Sequence, residues 1–252
     1  MSSRRQFGKQ LVSLVTTYSL LESLFNADAF SSPVKPNTNY WAKQLQELCL
    51  DLKKSSLSQV EWQKQIEHLL HTVEMEDLLK FINFEKLIYN FQFPDLGVNT
   101  RPVVFPTMEG LPEKTVFVKK IFGLKKDRSI IPHGHSNMTS SHLVLKGSLA
   151  LRQFEKVEEE KNHLIVKPTV DRVAQVGDAS SISDEKNNIH WFIADSPQAF
   201  TFDVIMLDLG GKSYDIHNID IRDGEKIQNG LIRAQKMDVE AALKKYGKET
   251  HH

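Results

Sequence analysis

Between Tyr40 and about Phe91, apolar residues recur at three- and four-residue steps, the period of a helix. Trp41, Leu45, Leu48 and Leu52 share one face of the first predicted helix. Cys49 lies beside that face and reads as a small buried hydrophobe. Ser58 is placed to cap a second helix over 59–73, whose apolar face carries Trp62, Ile66, Leu69 and Leu70. Residues 75–89 add one or two shorter helices. After Phe91 the texture changes, and Pro94, Gly97, Pro102, Pro106, Gly110 and Pro112 punctuate short segments. From Thr115 the period is closer to two. Strands are predicted over 115–124, 142–154, 164–176, 189–194, 199–209 and 214–221, with turns at Gly147-Ser148, Gly177-Asp178, Ser196-Pro197 and Gly210-Gly211. The charged stretch 156–162 reads as a solvated hairpin tip, and 236–247 as a short terminal helix. Many short strands with no long helix between them predict a closed or double-sheet β architecture.

Composition narrows the chemistry. Lys+Arg and Asp+Glu both number 32, so no overall charge favours nucleic acid or an acidic membrane. Cys49 is the single cysteine, which excludes an internal disulfide framework and any thiolate-rich zinc or iron–sulfur site. A metal site must then draw on His, Asp or Glu. No run of roughly 18 apolar residues exists, so no ordinary membrane span is expected.

Histidine offers such a site. In Pro132-His133-Gly134-His135 the two imidazoles are two residues apart, hence on one side of an extended strand. The later segment Asn187-Asn188-Ile189-His190-Trp191-Phe192 supplies a third histidine that could close a triangle. Three imidazoles on one face, with the other face open, suit a divalent transition metal that keeps room for a substrate. His142, on a following strand, reads as a packing residue or else as an extra pocket residue, His163 and His217 as exposed loop or strand-edge residues, and Trp191, Phe192 and Phe202 as barrel core, with a pocket wall the alternative for one of them. His68 and His71 lie three apart on a helix, but no His-Glu-x-x-His pattern surrounds them, so they read as surface or packing residues.

The N-terminal Ser3-Arg4-Arg5-Gln6-Phe7-Gly8-Lys9 resembles a bacterial twin-arginine export signal. A moderately apolar run over 11–25 and the small-x-small Ala27-Asp28-Ala29 follow it. Gly8 stands where leucine is usual, and Glu22 lies within the apolar run. The resemblance implies the twin-arginine export machinery as a partner and a periplasmic or exported location. The other reading is an amphipathic helix that stays on a cytoplasmic protein.

The β region resembles a cupin, a small jelly-roll barrel in which a His-x-His pair meets a later histidine. Gly147 suits the glycine of the usual cupin pattern, while Ser140 or Thr139 occupies the glutamate position, so the ligand set here is three histidines. The longer match, His133-Gly134-His135-Ser136-Asn137-Met138-Thr139 with Leu145, Gly147, Ser148 and Leu149, resembles the cysteamine dioxygenase and plant cysteine oxidase family of thiol dioxygenases. Asn188-Ile189-His190 is similar to that family's third-ligand segment, and Phe202-Asp203-Val204-Ile205 to its Asp-Val-Leu strand. Ser136 replaces a proline, and Met206-Leu207-Asp208-Leu209 stands where the family has Pro-Pro-Tyr, with Tyr214 the one candidate to substitute in space, a placement that sequence alone does not give.

The resemblance, over about 100–222, implies a mainly β protein: a cupin double-stranded β-helix preceded by an α-helical region. It implies Fe(II), or another divalent transition metal, on His133, His135 and His190, with Asp203 orienting a ligand or the substrate. The implied reaction takes a small thiol and O2 to a sulfinic acid. The altered segment after Asp203 leaves open a metal-cupin dioxygenase with a non-thiol substrate, or a non-catalytic cupin that binds a small ligand. The expected organisation is an export signal over 1–29, a linker and helical region over 30–95, a cupin β-barrel over 96–225, and a tail with a short helix over 226–252.

Overall fold

The helical pattern forms as its spacing predicts. In the computed structural model, which describes residues 38–249, α1 (Thr38–Lys53) buries Trp41, Leu45, Leu48, Cys49 and Leu52. Ser58 caps α2 (Gln59–Thr72), accepting from the Glu61 amide at 3.2 Å, and Trp62, Ile66, Leu69 and Leu70 are buried along it. Two short helices follow, α3 (Met75–Phe81) and α4 (Phe84–Ile88). The twin-arginine-like segment over 1–29, with Arg4 and Arg5, lies outside the described residues. Among the described residues, no helix is long and apolar enough to cross a membrane.

The strands are β1 (Asn99–Pro102), β2 (Val118–Lys125), β3 (Ser129–Ser136), β4 (Thr139–Lys146), β5 (Ser148–Glu159), β6 (His163–Gln175), β7 (Ala179–Ile182), β8 (Ile189–Ala194), β9 (Gln198–Met206), β10 (Asp215–Lys226) and β11 (Ile232–Met237). One sheet has the order β1-β2-β9-β4-β7, and the other contains β6-β5-β8-β3. Successive strands cross between two antiparallel sheets, with β2-β9-β4-β7 facing β3-β8-β5-β6. This is the jelly-roll order of a double-stranded β-helix, the cupin architecture. The stretch 142–154, expected as one strand punctuated at Gly147, is two. Gly147 turns the chain at φ +76°, where a Cβ would meet Ser196 Oγ at 2.2 Å and the Gln198 carbonyl at 2.3 Å.

Alternation along each strand divides the core. Phe200, Phe202, Val204 and Met206 of β9 and Leu143 and Leu145 of β4 face the helices, with Trp41, Leu45 and Leu70. Leu124, Ile130, Val144, Leu149, Leu151 and Phe192 fill the space between the sheets. The three aromatics expected together as barrel core therefore separate. Phe192 lies between the sheets, Phe202 lies under α1 at 6.2 Å from Trp41, and Trp191 lies on the far face of β8.

That far face is also covered. β10 pairs with β3, β11 pairs with β6, and β10 pairs with β11. The second sheet thus closes into a six-stranded barrel, β10-β11-β6-β5-β8-β3. Phe154, Leu164, Val166, Ile189, Ile219 and Ala234 pack within it. Residues 226–252, expected as a tail with a short helix, contain the helix α5 (Val239–Tyr246) and also β11. Tyr246 of α5 stands edge-on to Trp191 at 5.2 Å, and its hydroxyl donates to Asp220 at 2.6 Å.

Candidate metal centre

β3 and β8 pair with His133 opposite His190. Between Ile130 and His133 the register shifts, and this irregularity sets His133 and His135 on the face that looks at the other sheet. The ligand-capable atoms of His133, His135 and His190 all lie within 4.8 Å of one another. The Nε2 atoms of His133 and His190 are 3.0 Å apart. Two imidazoles on one ion at about 2.1 Å each would bring their nitrogens to about 3.0–3.4 Å, so this pair already has the spacing of neighbouring ligands. The Nδ1–H of His133 donates to the Ile131 carbonyl at 2.7 Å, which leaves Nε2 with a free lone pair facing the cluster.

Burial decides the charge. His135 and His190 are 3% and 2% exposed, whereas His133 keeps part of its surface. Loss of water pushes His133 down to about 4 and holds His135 and His190 well below the usual histidine range, and neighbouring histidines lower each further. All three are therefore neutral at pH 7, the form that ligates metal. The Nδ1 atoms of His135 and His190 are buried with no hydrogen-bond partner among the described residues. A cluster of neutral imidazoles whose ligand-capable nitrogens converge in this way fits a bound cation. No carboxylate belongs to the cluster among the described residues.

Asn188 fixes the ligand strand from outside. Its Nδ2 donates to the His135 carbonyl at 2.8 Å and to the Ser183 carbonyl at 3.0 Å, while its Oδ1 accepts from the His135 amide at 3.3 Å. Gly134 gives this side chain its space, because a Cβ there would lie 2.7 Å from Asn188 Oδ1 and 2.6 Å from His217 Nε2. His217, expected exposed, instead lies opposite Gly134 in β10 and is half-buried.

Asp203 is 1% exposed and does not touch the three histidines directly. It accepts from His142 Nδ1 at 2.7 Å and from the Thr201 hydroxyl at 2.6 Å. This bond fixes the His142 tautomer, leaving Nε2 toward the Ser140 hydroxyl at 3.2 Å. The His142 ring lies 4.8 Å from that of His190 and 5.1 Å from that of Phe192. His142, expected as packing or as an extra pocket residue, is thus a polar wall of the site. Register could have signalled this, since Ser140 and His142 alternate onto one face of β4, and His142 pairs with Asp203 across to β9. Buried Gln153, opposite His190 in β5, has no sequence signal. Tyr214, the suggested replacement for the family's tyrosine, is 45% exposed in the loop before β10.

No protein-family profile and no curated protein matches this sequence. Comparison with solved structures returns matches of low similarity. KdgF from Halomonas sp. is 18% identical with a TM-score of 0.33, over 50% of this chain and 91% of that one. An uncharacterized conserved protein with a double-stranded beta-helix domain from Klebsiella pneumoniae is 11% identical with a TM-score of 0.35, over 51% and 86%. Procruciferin, an 11S globulin from Brassica napus, is 12% identical with a TM-score of 0.32, and the chain covers 23% of its length. The strand order described above is what assigns the chain to the double-stranded β-helix class.

Proposed function

We propose that this chain is a metal-dependent dioxygenase that converts a small thiol and O2 to a sulfinic acid, with Fe(II) held by His133, His135 and His190. The observation that carries this reading is the neutral three-histidine cluster without a carboxylate, on strands whose sequence resembles thiol dioxygenases. Iron(II) held by these histidines would supply the redox chemistry that activates dioxygen toward a thiolate, and the overall reaction is R–SH + O2 → R–SO2H, with both oxygen atoms of O2 ending on the sulfur.

The chain's own groups do the rest. The Ile131 carbonyl holds His133 in the ligating tautomer. Asn188 holds the His135 backbone from both sides. Asp203 orients His142, and through it one wall of the site, so its role is positioning. Phe192 and the residues packed with it close the inner end against water, while the partly exposed His133 marks the open side.

The test is oxygen uptake by the iron-loaded protein with a panel of small thiols, together with metal analysis. Thiol-dependent uptake with sulfinate product is expected, and stoichiometric iron is expected to be lost in His133→Ala and His190→Ala. Iron binding without uptake for any thiol would reject the thiol reaction, and full iron in both variants would reject the site. Export by the twin-arginine route is part of the proposal. Replacing Arg4 and Arg5 together with lysine should retain the protein in the cytoplasm, and unchanged location would refute it.

A further inference from the structure

The opposite end of the jelly roll carries a second concavity. Three turns meet there: the β2–β3 turn at Lys125 and Arg128, the β4–β5 turn at Lys146 and Gly147, and the β8–β9 turn at Ser196 and Pro197. With residues 91–95 they enclose a cleft of about 830 Å³. Its size is that of a small-molecule site. The histidines lie toward the other ends of these strands, and the apolar layer of Leu124, Ile130, Val144, Leu149 and Phe192 stands between.

The chemistry of the cleft is one-sided. Lys125, Arg128 and Lys146 line it against a single carboxylate, Asp95. Neither lysine ammonium has a carboxylate partner among the described residues. Arg128 is poorly satisfied among the described residues: its Nε is buried without a partner there, and its Nη1 reaches the Lys126 carbonyl at 3.5 Å. A guanidinium bonded this weakly within the protein keeps terminal N–H donors for an oxyanion held in the cleft. In a chain with equal numbers of acidic and basic residues, three cations converging from two turns is a local arrangement. Phe91 and Phe93, rings 5.1 Å apart, add an apolar wall beside the cations.

We propose that this cleft binds a small organic anion, its phosphate, sulfonate or carboxylate group on Lys125, Arg128 and Lys146 and its apolar body against Phe91 and Phe93. Arginine and lysine together recognise such oxyanions through charge-assisted hydrogen bonds. The site is separate from the histidine cluster and does not depend on the proposed reaction.

Calorimetric titration of the full chain with phenyl phosphate tests it, with inorganic phosphate as the comparison. One saturable site is expected for phenyl phosphate, with weaker binding of inorganic phosphate, which cannot use the aromatic wall. Lys125→Glu combined with Lys146→Glu should weaken phenyl phosphate at least about tenfold, since each lost charge-assisted contact is worth roughly that factor. Circular dichroism establishes that the variant is folded. His133→Ala with His190→Ala should leave the affinity unchanged. No binding by the wild type, equal binding by the folded charge-reversal variant, or loss of binding in the histidine variant would each overturn the proposal. Equal affinity for the two phosphates would remove the apolar half of the site.

Discussion

Replacing Gly134 with alanine perturbs the ligand strand without touching a ligand. The added methyl would sit 2.6 Å from His217 Nε2 and 2.7 Å from Asn188 Oδ1, where ordinary contact begins at 3.4 Å. Each neighbour must therefore withdraw by about 0.7 Å, or β3 must bow away from them. His217 is held in β10 by pairing with β3 itself, and Asn188 by its bonds to the His135 backbone and Ser183. Overpacking of this kind costs about 1–3 kcal/mol, and weakening the Asn188 bonds adds about 1 kcal/mol. A total of about 2–4 kcal/mol corresponds to a fall of roughly 1 M in the urea midpoint. Metal affinity should fall about 10- to 100-fold, because the group that positions His135 is displaced. Urea unfolding followed by tryptophan fluorescence and a competitive metal titration read both effects. Adding His217→Ala should restore part of the loss, with a coupling of at least about 0.5 kcal/mol. An unchanged midpoint and metal affinity in Gly134→Ala would refute the account of how Asn188 and Gly134 hold the site.

Three further outcomes are expected. The metal-free chain should lose stability as pH falls below 6.5: an unfolded histidine takes up its proton there, whereas buried His133 does so only near 4, so the unfolded state binds more protons in between. His133 alone then accounts for a loss of about 2 kcal/mol at pH 5, read as a lower urea midpoint than at pH 7.5, and equal midpoints would contradict it. Asp203→Ala should cost about 2–4 kcal/mol, since His142 Nδ1 and the Thr201 hydroxyl lose their buried acceptor, and Asp203→Asn should cost less; thermal unfolding compares the two. Tyr246→Ala should cost about 3–5 kcal/mol by emptying the space against Trp191, and Tyr246→Phe only about 1 kcal/mol for the lost hydroxyl, measured by denaturant unfolding.

The parts of this fold that are legible in the sequence are those set by local period. The faces of α1 and α2, the Ser58 cap and the assignment of most strands follow from spacing alone. The pair His133 and His135 is legible because alternation fixes their common side, and His190 because its segment resembles a known third-ligand segment. What stayed hidden depends on pairing between distant strands. His142 becomes a wall of the site only because β4 lies beside β9 and brings it to Asp203. His217 and β11 look like edge and tail until β10 and β11 join the two free sides of the second sheet. The separation of Trp191 from Phe192 follows from alternation, but that both faces of β8 are covered does not.

The closing of the second sheet by β10 and β11 has a consequence for the order of folding. β3 has β8 on one side, 57 residues downstream at His190, and β10 on the other, later still. Neither neighbour of the ligand strand is local, so this part of the barrel has high contact order and forms slowly relative to the helices. On a chain emerging from synthesis, α1 and α2 have their sequence complete long before β3 has an edge to pair with. A nascent chain halted before Asp215 would present two histidines on a strand with one side bare. Metal binding at the proposed three-histidine site would therefore be a late event, coupled to arrival of the C-terminal hairpin, and pulse-chase exchange on stalled chains should show protection of β3 appearing only after β10 is free to pair.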